Sequence, residues 1–194
     1  MRLYSGTSLA PKRIMIVCMA VLMLTATTGA GGASTTSSND GQHDFDWEFG
    51  TWRSDVRVLA DPLSGSEDEW LRFEGTTVVR PLMDRRANVV ELDVTGAAGR
   101  IQALNLRLFE PQADRWSLTF VNMRDGLLTP AVYGGFRDEV GEFYGEDRLN
   151  GQPILVRFLI TRPGPNRARF EQAYSGDDGA TWETNWIAID RRIQ

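Results

Sequence analysis

Apolar and polar side chains alternate with a period of two through most of this 194-residue chain after position 50. Turn-forming residues interrupt the alternation roughly every 10–16 positions, a spacing typical of β-sandwiches and β-barrels. No long stretch has the apolar spacing of about 3.6 residues that indicates an amphipathic helix. The pattern therefore predicts an all-β protein.

The segments between the alternating runs are rich in Gly, Pro, Asn and Asp, which provide the backbone angles of tight turns. They divide the chain into about ten strands, preceded by one short helical turn over residues 44–49. The predicted strands are 52–59, 70–80, 87–95, 102–109, 115–122, 130–137, 140–148, 153–161, 167–175 and 181–191. Because closure removes exposed edges, such strands close most simply into an up-and-down antiparallel barrel. A two-sheet sandwich is the alternative.

Symmetric hairpin turns predict which side chains face one another in the last third of the chain. They place Phe143 opposite Phe158, and Phe158 opposite Phe170. They also place Phe170 opposite Trp186, so four aromatic residues form a row across four strands. Cross-strand aromatic pairs contribute roughly 0.2–1 kcal/mol each. We expect this row to face the barrel interior.

The fourth predicted strand is expected to turn its leucines inward and its polar residues outward. With a three-residue turn at 111–113, the inward pairs are Leu104 with Phe120, Leu106 with Leu118, and Leu108 with Trp116. Asn105 and Arg107 then lie on the outer, polar face. A slip of one residue would exchange the two faces.

Composition excludes several classes of function. The chain has 21 basic and 26 acidic residues, and three of the basic residues lie within the first 13 positions, so the remainder is strongly acidic. This argues against nucleic-acid binding, which requires a basic surface. The only histidine is His43 and the only cysteine is Cys18. A structural disulfide and a zinc site rich in Cys or His are therefore excluded, and we expect neither a metal nor a cofactor.

The N-terminal residues have the three-part pattern of a secretory signal peptide. Residues 2–13 are basic, residues 14–26 are apolar, and small neutral residues follow. The apolar run is shorter than the roughly 20 residues needed to span a bilayer. An uncleaved N-terminal anchor helix is the alternative.

These features predict the domain organisation and the compartment. We expect export to the periplasm or the extracellular space, and no stable membrane span after cleavage. The expected divisions are a signal peptide over residues 1–32, a flexible leader over 33–43, and one barrel domain over 44–192.

Residues 43–52 resemble the opening of the calycins, the superfamily of lipocalins and their relatives. Lipocalins begin with a short helical turn and then Gly-x-Trp in the first strand, here Gly50 and Trp52. They also place an arginine after the last strand, packed over that tryptophan. Arg191 or Arg192 has this position in the chain.

The span from residue 45 to residue 191 is also similar to an uncharacterised bacterial family of lipocalin-like barrels, of the DUF1579 type. The similar stretches are residues 45–52, 106–111, 142–145 and 181–186. The resemblance implies a calycin-like barrel and no particular activity.

Neutral polar residues on the predicted apolar face suggest a ligand pocket, since such groups orient a small molecule in an apolar site. They could equally bond one another or a buried water. We predict that the interior binds a small apolar or amphipathic molecule. The predicted ligand-binding residues are Asn88, Trp116, Phe120, Phe143, Phe158, Phe170, Gln172 and Trp186.

Two other classes of function remain open. The same hairpin symmetry aligns Tyr144, Arg157, Glu171 and Asn185 in a polar row. In a cofactor-independent isomerase or cyclase, Arg157 would bind an anionic group and Glu171 would act as general base. Otherwise the two residues form a surface ion pair. A structural or interaction module of the cell envelope is the third class.

Overall fold

The computed structural model describes residues 41–65 and 69–194, so the predicted signal peptide and most of the predicted leader lie outside the described residues. Two short 3-10 turns, η1 and η2, precede ten strands. The elements are η1 (Gly41–His43), η2 (Asp46–Glu48), β1 (Gly50–Leu59), β2 (Trp70–Leu82), β3 (Ala87–Gly96), β4 (Gly99–Glu110), β5 (Arg115–Asn122), β6 (Val132–Arg137), β7 (Val140–Leu149), β8 (Gln152–Gly164), β9 (Arg167–Ser175) and β10 (Glu183–Arg192).

The strands form one closed antiparallel barrel in which each strand pairs with its neighbours in sequence and β1 pairs with β10. The predicted fold class, including the short helical turn before the first strand, is confirmed. Closure also decides against the sandwich, because a sandwich would leave β1 and β10 unpaired. Within residues 41–65 and 69–194, no helix has the length and apolar character needed to cross a membrane.

Phe45, in the segment between η1 and η2, closes one end of the barrel. It is completely buried and makes edge-on contacts with Trp116 at 4.9 Å and with Phe136 at 5.0 Å between ring centroids. Its ring also stacks on Phe143 at 6.0 Å. These partners lie at the start of β5, the end of β6 and the start of β7, which meet at the same end of the barrel. The N-terminal segment is therefore a plug.

The Gly-x-Trp motif packs against the end of the chain. Trp52 is buried, and the guanidinium of Arg192 lies 4.0 Å from its ring centroid. The predicted arginine over this tryptophan is therefore Arg192, whereas Arg191 bonds Asp55 on the barrel surface. Gly50 has a φ of +134°, and a Cβ there would lie 2.4 Å from the carbonyl oxygen of the last residue. Only glycine allows this close approach.

The predicted facing of β4 is wrong. The turn after it contains four residues, 111–114, because Glu110 pairs with Arg115. One extra residue in the turn shifts the pairing by one and moves every side chain of the strand to the opposite face. Arg107 is therefore buried inside the barrel, whereas Leu106 and Leu108 are 37% and 45% exposed on the outside.

The aromatic residues of the predicted row face the barrel interior as expected, but two of the three predicted pairings between them are wrong. Phe143 lies opposite Phe158 as predicted. Phe158 lies opposite Gln172, and Phe170 lies opposite Ala188, so both later pairings are displaced by two residues. Irregular pairing in β8 and β10 accompanies this displacement. Because a shift of two preserves the face, Phe158 and Phe170 still meet inside, with ring centroids 5.1 Å apart.

Replacing Phe143 by Ala should lower the free energy of unfolding by about 3–5 kcal/mol, because it leaves a cavity in the packed closed end. Leu106→Ala is the control, and its loss should be below about 1 kcal/mol because Leu106 lies outside the barrel. Urea denaturation followed by tryptophan fluorescence measures both values. A large loss for Leu106→Ala would place Leu106 in the core and contradict the register of β4.

Candidate functional site

A cavity of about 380 Å³ occupies the barrel interior between the plug and the opposite end of the barrel, the direction called upward below. This is within the usual range for small-molecule sites, roughly 300–1,000 Å³. Most of its wall is aliphatic or aromatic. The apolar lining includes Val90, Leu92, Phe120, Val156, Phe158, Ile160, Phe170 and Trp186.

The cavity extends to the end of the barrel opposite the plug. Pro62, which follows β1, lines it, as do Leu127 and Pro130 from the connection between β5 and β6. Leu127 and its neighbour Leu128 are 70% and 69% exposed. The connections at this end therefore form the rim of the site.

A buried ion pair forms one part of the cavity floor. Arg107 on β4 donates hydrogen bonds through Nη1 and Nη2 to the carboxylate of Glu48 on η2. Its Nε donates to Oδ1 of Asn105 at 3.4 Å, and its guanidinium lies 4.2 Å from the ring centroid of Phe45. Both charges are removed from water, so loss of either partner would leave an uncompensated buried charge.

A second polar group on the floor consists of Asp190, Ser54 and Thr77. The hydroxyl of Ser54 donates to Oδ1 of Asp190, and it accepts in turn from Thr77 at 2.7 Å. Burial raises the pKa of Asp190 to about 7, and the nearby carboxylate of Glu48 acts in the same direction. The hydrogen bond from Ser54 and the charge of Arg107 oppose this rise. Asp190 therefore changes its charge near neutral pH.

The upper wall carries neutral polar groups. Gln172 donates a hydrogen bond from Nε2 to Oδ1 of Asn185 at 2.7 Å. Asn185 is displaced into the wall by irregular pairing between Thr184 and Trp186, and its Nδ2 has no hydrogen-bond partner among the described residues. Nearer the rim, burial raises the pKa of the Tyr174 hydroxyl.

The structure places the predicted ligand-binding residues in three different environments. Phe120, Phe158, Phe170, Gln172 and Trp186 line the cavity. Trp116 and Phe143 instead pack around Phe45 in the closed end. Asn88 is completely buried, and neither polar atom of its side chain has a partner within the part of the chain that the structure describes.

Arg157 and Glu171, the residues of the alternative acid–base site, do not lie directly opposite each other. Arg157 pairs with Tyr144 as predicted, but its other neighbour is Ala173, whereas Glu171 lies opposite Leu159. The guanidinium of Arg157 lies 4.7 Å from the ring centroid of Trp182, and Glu171 forms an ion pair with Arg169. Neither residue lines the cavity. The two-residue displacement of β9 makes them diagonal neighbours instead of a directly opposed pair.

The charged residues of the cavity floor are absent from the site predicted from the sequence. A three-residue turn after β4 would place Arg107 on the outer face, whereas the observed four-residue turn places it inside. Glu48 lies in a 3-10 turn, where the period-two alternation of strands does not apply. Asp190 could have been found, because it shares the parity of Trp186 and Ala188 on β10. The described residues contain no group of three or more His, Cys, Asp or Glu side chains arranged to hold a metal ion.

Comparisons with known proteins identify the fold. No protein-family model matches the chain, and no curated protein matches it. The S-type phycobiliprotein lyase CPES from Guillardia theta has a similar structure, with a TM-score of 0.53 and 8% identity over 82% of this chain and 98% of the lyase. EF1p2_mFAP2b bound to DFHBI matches with a TM-score of 0.42 and 12% identity over 78% of this chain and 98% of that one. A redesigned β-barrel, mFAP0, bound to DFHBI, matches with a TM-score of 0.42 and 14% identity over 75% and 99%. The likeness to the lyase supports the fold alone, here a closed ten-strand β-barrel.

Asp190→Asn should remove a pH-dependent loss of stability. The folded-state pKa of about 7 lies above the ordinary value of 3.8, so the folded protein binds this proton more tightly than the unfolded chain. Protonated Asp190 therefore stabilises the folded state. This contribution is fully present below about pH 4 and is lost as the pH rises through 7, which lowers the free energy of unfolding by up to about 4 kcal/mol. Urea denaturation at pH 5 and pH 8 should show that the variant gains stability relative to the wild type at the higher pH.

Glu74→Gln on the outer face is the matched control, since Glu74 is exposed and its substitution should leave the pH profile of stability unchanged. An Asp190→Asn profile parallel to that of the wild type would contradict the raised pKa.

Proposed function

We propose that the protein binds a small apolar or amphipathic molecule in the barrel cavity. The observation that supports this most strongly is the shape and lining of the interior. The plug around Phe45 fills only one end, and a space of about 380 Å³ with an aromatic wall remains above it. A barrel that needed only a stable core could fill this space with side chains.

The polar groups support an amphipathic ligand in particular. Apolar sites for small molecules generally contain a few polar groups that fix the orientation of the ligand. Here they occur at two levels, with Asp190 and Arg107 at the floor, and Gln172 and Asn185 higher on the wall. A molecule with one polar end and an apolar body fits this distribution.

Filling part of the cavity with a larger side chain should weaken binding at least tenfold. Ala188 lies on β10 in the cavity wall, and Ala188→Phe places an aromatic ring in the space available to a ligand. We expect the affinity for the neutral fluorescent probe N-phenyl-1-naphthylamine to fall at least tenfold. The new ring excludes the probe from part of the apolar wall, and the lost burial of apolar surface corresponds to about this change in affinity. Probe fluorescence measures the affinity.

Ala97→Phe, at an exposed turn, is the control and should bind the probe like the wild type. Circular dichroism confirms that each variant is folded. Equal affinity of Ala188→Phe and the wild type would place the probe outside the barrel and refute the proposal.

We further propose that the protein is an exported, calycin-like barrel related to the uncharacterised bacterial family described above. The buried Trp52 beneath Arg192 and the tight approach at Gly50 support the calycin relation. The basic and apolar N-terminal residues support export.

The intact mass of the protein purified from a bacterial periplasmic fraction tests export. We expect a mature chain that begins near residues 30–33, because small residues there suit the signal peptidase. A chain that retains residue 1 and stays in the cytoplasm would contradict export.

A further inference from the structure

We propose that the cavity selects a cationic amphiphile, such as a long-chain primary amine, and that the cationic group lies against Asp190 while the chain follows the aromatic wall. This inference rests on the proposed binding of a small molecule in the cavity. It concerns the chemical class of that molecule.

The charges that line the cavity are mostly negative. Four acidic and two basic residues line the cavity: Glu48, Asp125, Asp147, Asp190, Arg107 and Arg169. Both arginines are already paired, Arg107 with Glu48 and Arg169 with Glu171. Three carboxyl groups therefore remain without an arginine partner among the described residues.

Among residues 41–65 and 69–194, the two carboxyl groups near the rim accept hydrogen bonds from backbone N–H groups and have no ion-pair partner. Asp125 accepts a hydrogen bond from the backbone N–H of Leu127 at 3.2 Å. Asp147 accepts one from the backbone N–H of Arg148 at 2.7 Å. An anionic ligand such as a fatty acid would pass both groups and then meet a third at the floor, whereas a cation would be attracted at each step.

Asp190 provides a specific position for the cationic group. Its side chain is 8% exposed, and among the described residues only Ser54 donates a hydrogen bond to it, at Oδ1. The charged groups around it are Glu48 on η2, Asp55 on β1 and Arg107 on β4. Arg107 attracts Asp190, but its ion-pair partner Glu48 repels Asp190 more strongly, so the pair supplies no net counter-charge. An ammonium group at Oδ2 would supply both the charge and the hydrogen bond that the protein does not provide.

A second unpartnered polar group independently indicates a ligand. Asn185 is 2% exposed and lines the cavity, yet its Nδ2 donates to no residue in the described ranges 41–65 and 69–194. It lies five residues before Asp190 on β10, a separation of about 16 Å along the strand. This donor supports the presence of a bound molecule or water in the cavity, and it does not bear on the charge of the group at Asp190.

The charge of Asp190 makes the preference depend on pH. Burial raises the pKa of this carboxyl to about 7, so it is largely neutral at pH 5.5 and ionised at pH 8. A primary alkylamine stays protonated over this range, as lysine does. Amine binding should therefore tighten by about tenfold or more between these two pH values, whereas binding of a neutral alcohol should not tighten.

Displacement of N-phenyl-1-naphthylamine by three ligands of equal chain length tests the proposal. The ligands are decylamine, 1-decanol and decanoate. At pH 8 we expect decylamine to bind about tenfold more tightly than 1-decanol, and decanoate to bind most weakly. Asp190→Asn should abolish the advantage of the amine and its pH dependence. Asp125→Asn, at the rim, should retain most of the amine's advantage. Asp125 adds to the negative potential of the entrance, but it does not contact the ammonium group at the cavity floor.

Each outcome bears on one of the two proposals. Equal binding of decylamine and 1-decanol at pH 8, or an amine advantage that Asp190→Asn leaves intact, would overturn the cationic preference while ligand binding itself stands. Failure of the probe and all three ligands to bind would overturn both. If Asp190→Asn does not fold, the pH profiles of amine and alcohol binding to the wild-type protein decide the question.

Discussion

The ion pair between Glu48 and Arg107 links the N-terminal plug to the inside of the barrel. Glu48 lies on the turn that precedes β1, and Arg107 lies on β4, so the contact joins residues 59 positions apart. Its burial is tolerated because each charge has the other and because Asn105 and Phe45 provide further contacts. The plug, the floor of the cavity and the electrostatic environment of Asp190 all depend on this contact.

The interior is filled at one end and open at the other. Trp116 and Phe143 pack around Phe45, whereas Phe120 and Trp186 meet higher in the barrel, with ring centroids 6.2 Å apart. Large aromatic residues therefore have two different roles in the two halves of the barrel. They make a solid core near the plug, and they form the wall of a cavity near the rim.

The ten strands could be predicted from the sequence because alternation and turn residues are local signals, and each predicted strand coincides with an observed one to within a few residues. The face of β4 could not, because it depends on whether a turn has three or four residues. The later error in register was less serious, since a displacement by two keeps Phe158 and Phe170 inside. The charged floor was missed because Glu48 and Arg107 become neighbours only through closure of the barrel.

The pairing of the first strand with the last has a consequence for the order of folding during synthesis. The backbone N–H of Thr51 donates to the carbonyl oxygen of Gln194 at 2.9 Å, so the seam between the first and last strands includes the final residue. A chain without β10 lacks this seam and presents two strand edges that can pair with other molecules. The barrel can therefore close only once β10 has been synthesised and can pair with β1.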